Sequence, residues 1–162
     1  MILSKWKISL LGHLHRDGVL PSSYRTRIVY IEDHSIFREA VINNCIKPFF
    51  KNLHLTEFTN GNDAFEYIKN EINANSKIDL IITDINHPGM SGYKLVDAVH
   101  EYEKSTGSDK FIPIIVITMI EETHFMKMRK HKKVDYYLNK TTSPENIIDC
   151  IEEVLYAFND AG

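Results

Sequence analysis

From Arg27 onward, short runs rich in β-branched residues alternate five times with longer stretches whose apolar residues recur at helical spacing. Few architectures accept that order. Strands separated by helical stretches form βα units, and such units build a parallel sheet covered by helices on both faces. The strand candidates are Ile28 to Ile31, Leu53 to Phe58, Ile78 to Thr83, Ile114 to Thr118 and Val134 to Leu138. Leu80-Ile81-Ile82 and Ile114-Ile115-Val116-Ile117 are apolar at every position, as central strands buried on both faces require. Helices are expected at about Ser35 to Lys47, Asn62 to Asn73, Gly92 to Ser105, Glu121 to His131 and Ser143 to Phe158. The last has a readable start, with Ser143 as N-cap, Pro144 in the first turn and Glu145 beside the positive end of the helix dipole.

At 162 residues, 43% hydrophobic and 25% charged, the chain suits one globular domain with a real core. The net charge is −3 and the basic residues are scattered, apart from Lys127, Arg129, Lys130, Lys132 and Lys133. That balance argues against direct nucleic-acid binding, and the basic cluster reads as a solvated helix face or a docking site for an acidic partner. No apolar run approaches the roughly 18 residues that span a bilayer. His13, His15, Arg16 and Asp17 break the apolar stretch near the N-terminus, so neither a membrane span nor a secretory leader is expected, and a cytoplasmic protein is. Cys45 and Cys150 lie in apolar helical patterns without ligand spacing and read as buried free thiols. Phe49 and Phe50 read as core. His13 with His15, and His124 with His131, lack the company of ligands that zinc requires.

Residues 1–25 stand apart as an extension to a domain spanning 26–160. Leu3, Trp6, Leu10 and Leu14 recur at helical spacing before Gly18 and Pro21 close the segment. A packing helix, a dimerising helix that would make a homodimer, an expression remnant and a wrongly chosen start codon all fit it. The final helix is expected to end near Ala157, with no output carried after residue 162.

In an open parallel sheet, ligands bind outside the carboxyl ends of the strands, near the point where strand order reverses. The first strand ends in Glu32-Asp33, the third in Asp84 and the fourth in Thr118, and Lys140 follows the fifth. Three carboxylates gathered at one edge repel unless a cation joins them or one takes up a proton. Mg²⁺, or Mn²⁺ in its place, suits Asp33 and Asp84 as direct ligands, Glu32 through water and the backbone carbonyl of Asn86. With such a cation present, Asp84 becomes a plausible nucleophile toward phosphorus. Lys140 supplies a point charge opposite the metal, and the Thr118 hydroxyl can donate to a phosphoryl oxygen.

These residues lie within Ile31-Glu32-Asp33, Thr83-Asp84-Ile85-Asn86-His87-Pro88-Gly89-Met90-Ser91-Gly92, Ile117-Thr118 and Tyr137-Leu138-Asn139-Lys140. In that order and spacing they resemble the receiver domain of bacterial two-component response regulators, over roughly residues 27 to 158. The resemblance implies a flavodoxin-like (βα)5 three-layer sandwich with strand order 2-1-3-4-5. It further implies Asp84 as phosphoacceptor from a sensor histidine kinase or histidine phosphotransfer protein, Mg²⁺ dependence, and Thr118 with Tyr137 as a switch pair. A downstream protein partner would then read the surface of the fourth helix, fifth strand and fifth helix. On this view the chain is a signalling module, and its catalysis is limited to its own phosphorylation and dephosphorylation. Four positions depart from the family pattern. Met119 stands where a small residue is usual and is expected to narrow the way to Asp84. Thr141 replaces a proline, so a cis peptide is not implied there. His87 replaces Met or Leu, and Lys133-Val134 replaces Gly-Ala.

Singly, each residue has a plainer use. Glu32-Asp33 suits a helix start, Asp84 a turn before Pro88-Gly89, Thr118 a cap, Lys140 a solvated surface and Tyr137 strand packing. Their joint placement at strand ends favours a site. Lys140-Thr141-Thr142-Ser143-Pro144-Glu145 resembles the fifth unit of regulators with helix-turn-helix outputs, so the receiver half of a transcription factor is the alternative. A flavin carrier would want a hydroxyl- and glycine-rich loop after the first strand, where Glu32-Asp33-His34 stands. A phosphohydrolase of the haloacid dehalogenase type would place a second Asp where Asn86 stands.

Overall fold

The computed structural model describes residues 25–50, 52–107, 111–124 and 136–159. In chain order the elements are β1, Thr26–Ile31; α1, Ser35–Val41, running on into a π-helical turn, Ile42–Ile46; β2, Leu53–Phe58; and α2, Gly61–Asn73. They continue with β3, Leu80–Thr83; α3, Gly92–Ser105; β4, Ile114–Thr118; α4, described at 122–124; β5, Tyr136–Asn139; and α5, Pro144–Asn159. All five strands are parallel, in the order β2-β1-β3-β4-β5. Because β1 pairs with both β2 and β3, strand order reverses there, and the carboxyl ends of β1 and β3 border the crevice where such sheets bind ligands.

Side chains alternate across a strand, so β1 sends Ile28 and Tyr30 to one face and Val29 and Ile31 to the other. On the first face lie Val41 of α1, Ile42, Cys45 and Ile46 of the π turn, and Ile147, Ile151 and Val154 of α5. Ala64 and Ile68 of α2, with Leu95, Val96 and Val99 of α3, pack against the second. Every residue of β3 and β4 is buried, as the unbroken apolar runs require. Each such isoleucine contributes about 1.5–3 kcal/mol through removal of its side chain from water. Ser143 caps α5, its Oγ accepting from the Asn146 N–H at 3.4 Å, and Pro144 opens the helix.

At the edge where the strands begin, Asp79 is buried and its Oδ2 accepts from the Arg27 N–H at 2.8 Å. The Arg27 guanidinium reaches Glu71 at 2.5 Å and also donates to Ser76, tying β1 to the end of α2. This anchor starts β1 at Thr26, two residues before the expected Ile28, whereas β3 begins at Leu80 because Asp79 is spent on Arg27.

Other differences from the sequence reading have local causes. The expected helix from Ser35 to Lys47 widens at Ile42, where the Lys47 N–H bonds the Ile42 carbonyl five residues back at 2.9 Å. The wider turn brings Ile42, Cys45 and Ile46 into the core together. Phe49 is 47% exposed, contrary to its reading as core, whereas Phe50 packs against the first-face cluster. The bend after the π turn sends neighbours in different directions, so only one of the pair reaches the sheet. β5 runs to Asn139, one residue beyond the expected end. Val134, the basic cluster and the extension through residue 24 lie outside the described residues. Both cysteines are free and buried. Among the described residues, no peptide bond is cis and no helix is long and apolar enough to cross a membrane.

Candidate functional site

Two strand ends deliver the acidic residues, Glu32 and Asp33 after β1 and Asp84 after β3, and the turn after β5 delivers the lysine. Glu32 follows β1, fully buried, with Oε1 accepting from the His34 N–H at 3.0 Å. Its carbonyl accepts from Arg38 Nη1 at 2.7 Å, and Arg38 Nε meets Glu57 of β2 at 3.2 Å, so α1 is pinned to the end of β1. Asp33 is exposed. Asp84 follows β3, and its N–H continues the ladder to the Ile31 carbonyl at 3.0 Å. It is 5% exposed, and its Oδ1 accepts from the Ile85 N–H at 2.5 Å.

Lys140 is placed by a similar extension, its N–H donating to the Thr118 carbonyl at 3.0 Å. From there its ammonium reaches Glu32 Oε2 at 2.6 Å and Asp84 Oδ2 at 2.8 Å. Burial raises the Glu32 carboxyl above its ordinary range, against the pull of Lys140. For Lys140, burial pulls down, but the hydrogen bonds to Asp84 and Glu32 outweigh it and the net shift is upward. The lysine therefore stays charged between two carboxylates.

One oxygen each from Glu32, Asp33 and Asp84 lie within 4.8 Å of one another. Hard oxygen donors at that spacing fit a small divalent cation, with Glu32 and Asp84 shared with Lys140. Thr118 is fully buried and its Oγ1 accepts from the Ile120 N–H at 3.4 Å. Tyr137 is half-buried, and its hydroxyl donates to the carbonyl of the same Ile120. Asn86 is exposed in the loop after Asp84, and Met119, in the loop after β4, is 62% exposed. The structure thus gathers Glu32, Asp33, Asp84 and Lys140 in one pocket and joins Thr118 to Tyr137 through Ile120.

Sequence reasoning missed several supporting residues. The Thr83 hydroxyl donates to the Asp84 carbonyl at 2.8 Å and lies 3.2 Å from His87 Nε2. A Cβ on Gly92 would stand 2.2 Å from the Asp84 carbonyl oxygen, so α3 can start against the acidic loop only with glycine there. Gly92 closes the motif read from the sequence, but nothing in the motif gives its reason. Phe37 and Arg38, both on α1, had no signal at all.

A parallel α/β module with an acid-and-lysine pocket at the strand-order reversal defines a narrow class of proteins. Residues 28–152 match the response regulator receiver domain family, and the chain belongs to it. It is a receiver domain of two-component signalling. It is 37% identical over 99 residues to the sensor histidine kinase CheAY of Helicobacter pylori, a match covering 60% of this chain and 11% of that protein. The chain thus spans about a ninth of that relative. Among solved structures, the REC domain of AraT, a response regulator from Geobacillus stearothermophilus, superposes with a TM-score of 0.67 at 21% identity, covering 85% of this chain and 98% of that one. The signal receiver domain of NarL from Mycobacterium tuberculosis gives 0.64 at 22%, covering 81% and 96%. At these identities the structural likeness bears on fold alone.

Proposed function

We propose that this receiver domain takes a phosphoryl group on Asp84 from the phosphohistidine of a kinase or phosphotransfer protein, with a bound Mg²⁺ or Mn²⁺. The observation that carries the reading is the Lys140 ammonium within 2.8 Å of a buried aspartate that ends a central strand. An Asp84 carboxylate oxygen attacks phosphorus, the P–N bond to the donor imidazole breaks, and the imidazole leaves with the bonding pair and takes up a proton. Lys140 then pairs with a phosphoryl oxygen in place of the carboxylate. Asp33, Asp84, Glu32 and the Asn86 carbonyl would hold the cation, which supplies charge neutralisation for the phosphoryl oxygens. Thr118 gives up the Ile120 N–H and donates its hydroxyl to the phosphoryl group. Ile120 also receives the Tyr137 hydroxyl, so the change at Thr118 loosens the hold on that ring.

The domain assists its own phosphorylation and dephosphorylation and turns over no separate substrate. Its place of action is proposed to be the cytoplasm. Its output is proposed to pass to a protein partner through the face of α4, β5 and α5. The run Lys140 to Glu145 supports, as the second reading, the receiver half of a DNA-binding regulator.

Incubation with acetyl phosphate or phosphoramidate and Mg²⁺, followed by intact mass measurement, should add one phosphoryl group. The adduct should vanish in Asp84→Asn and with a chelator. No adduct on either the wild-type chain or its Met119→Ala variant would overturn the reading.

A further inference from the structure

The ring centroid of Phe37, on α1, lies 4.8 Å from Lys140 Nζ. An aromatic face attracts an ammonium within roughly 6 Å of its centroid. Three hydrogen-bonded contacts complete a circuit around the pocket. The His34 N–H donates to Glu32 Oε1 at 3.0 Å, and His34 Nδ1 caps α1 by accepting from the Phe37 N–H at 3.3 Å. Lys140 Nζ then returns to Glu32 Oε2 at 2.6 Å. One carboxylate therefore fixes the backbone that carries the ring with one oxygen and holds the lysine with the other. The lysine side chain is only 11% exposed, the condition in which a ring face binds an ammonium most strongly.

A lysine is a compact charge on a flexible stem, and here two carboxylates set its position. Glu32 and Asp84 are also the groups a divalent cation would draw on. Were their oxygens to turn to a metal, their pull on Lys140 would weaken, and without another contact the stem would be free to swing toward water. The ring of Phe37 is no metal ligand and keeps its attraction. We propose that Phe37 is a positioning residue, whose ring retains the Lys140 ammonium beside Asp84 when a divalent cation engages Glu32 and Asp84. The consequence for phosphorylation rests on the reading of Asp84 given above, whereas retention of the lysine is a property of the unphosphorylated domain.

The test follows the Lys140 side-chain methylene resonances by NMR, assigned by their absence in Lys140→Met. In wild type they should be displaced by the Phe37 ring current and stay displaced through a MgCl₂ titration. In Phe37→Leu the displacement should be lost, and added Mg²⁺ should move the signals to those of a solvated lysine. Phe37→Tyr should restore the wild-type pattern. With acetyl phosphate at saturating Mg²⁺, phosphorylation of Phe37→Leu should slow by about three- to tenfold and that of Phe37→Tyr should stay near wild type. Wild-type signals that move to solvated positions as Mg²⁺ is added would overturn the proposal, and this arm needs no variant of Phe37 to fold. So would a folded Phe37→Leu with both rate and resonances unchanged. A wild-type chain that gains no phosphoryl group would instead overturn the role of Asp84, and the resonances would still decide that of Phe37.

Discussion

Lys140 pairs with two buried carboxylates, Glu32, whose carboxyl burial raises, and Asp84, and a divalent cation would draw on the same two groups. On the proposed reading the two cations would oppose each other at equilibrium while both served the reaction. Lys140→Met is expected to bind Mg²⁺ about tenfold more tightly, a coupling of ordinary size, while its phosphorylation by acetyl phosphate slows about a hundredfold. Calorimetry beside the mass assay separates the two effects, and an unchanged Mg²⁺ affinity would show that the lysine does not compete. The acids and the lysine were legible in the sequence because each is a polar residue ending an apolar run, where burial demands a reason. Phe37 was not legible, because an apolar residue in an amphipathic helix already has a reason, and its contact lies far along the chain. Arg38 was hidden likewise, since its acceptor is a backbone carbonyl that any residue would offer.

At the scale of elements, the alternation of β-branched runs and helical stretches was enough to place the strands and the two-sided cover. The π turn was not readable, because it exists to seat Ile42, Cys45 and Ile46 together and local propensity is indifferent to that need. The link between α2 and β1 was equally hidden, since Arg27, Glu71 and Ser76 meet only through the fold. That link has a pH signature. Burial tends to raise the Glu71 carboxyl, but hydrogen bonds from Ser76 and Arg27 bring it below its ordinary value. A depressed folded value means stability present above the ordinary glutamate range and lost as the pH falls through the lowered one. Glu71→Gln should therefore cost about 1 kcal/mol near neutrality, in keeping with a partly exposed pair. Urea melts at stepped pH should show the gap to wild type closing in acid, and a gap that holds there would disprove the assignment.

For the whole molecule, the pocket sits at one edge of the sheet and the proposed output face runs along one side of it. A switch needs two states that a partner distinguishes. The structure shows Thr118 and Tyr137 both in contact with Ile120, and on the proposed reading the second state would have both contacts released. Phosphorylation is thus expected to change sedimentation or partner affinity, and identical behaviour with and without the phosphoryl group would refute a conformational output. Which partner reads the change was beyond the sequence, because recognition depends on a surface whose side chains carry no strand-end logic. The two cysteines give that surface's neighbour an internal gauge. Cys45 is 2% exposed and Cys150 3%, one beside α1 and one on α5, and burial pushes both thiols up. Neither can meet an alkylating reagent until its helix lifts from the sheet. The native chain thereby comes equipped to time, with no cysteine engineered in, how often that flank opens in each signalling state.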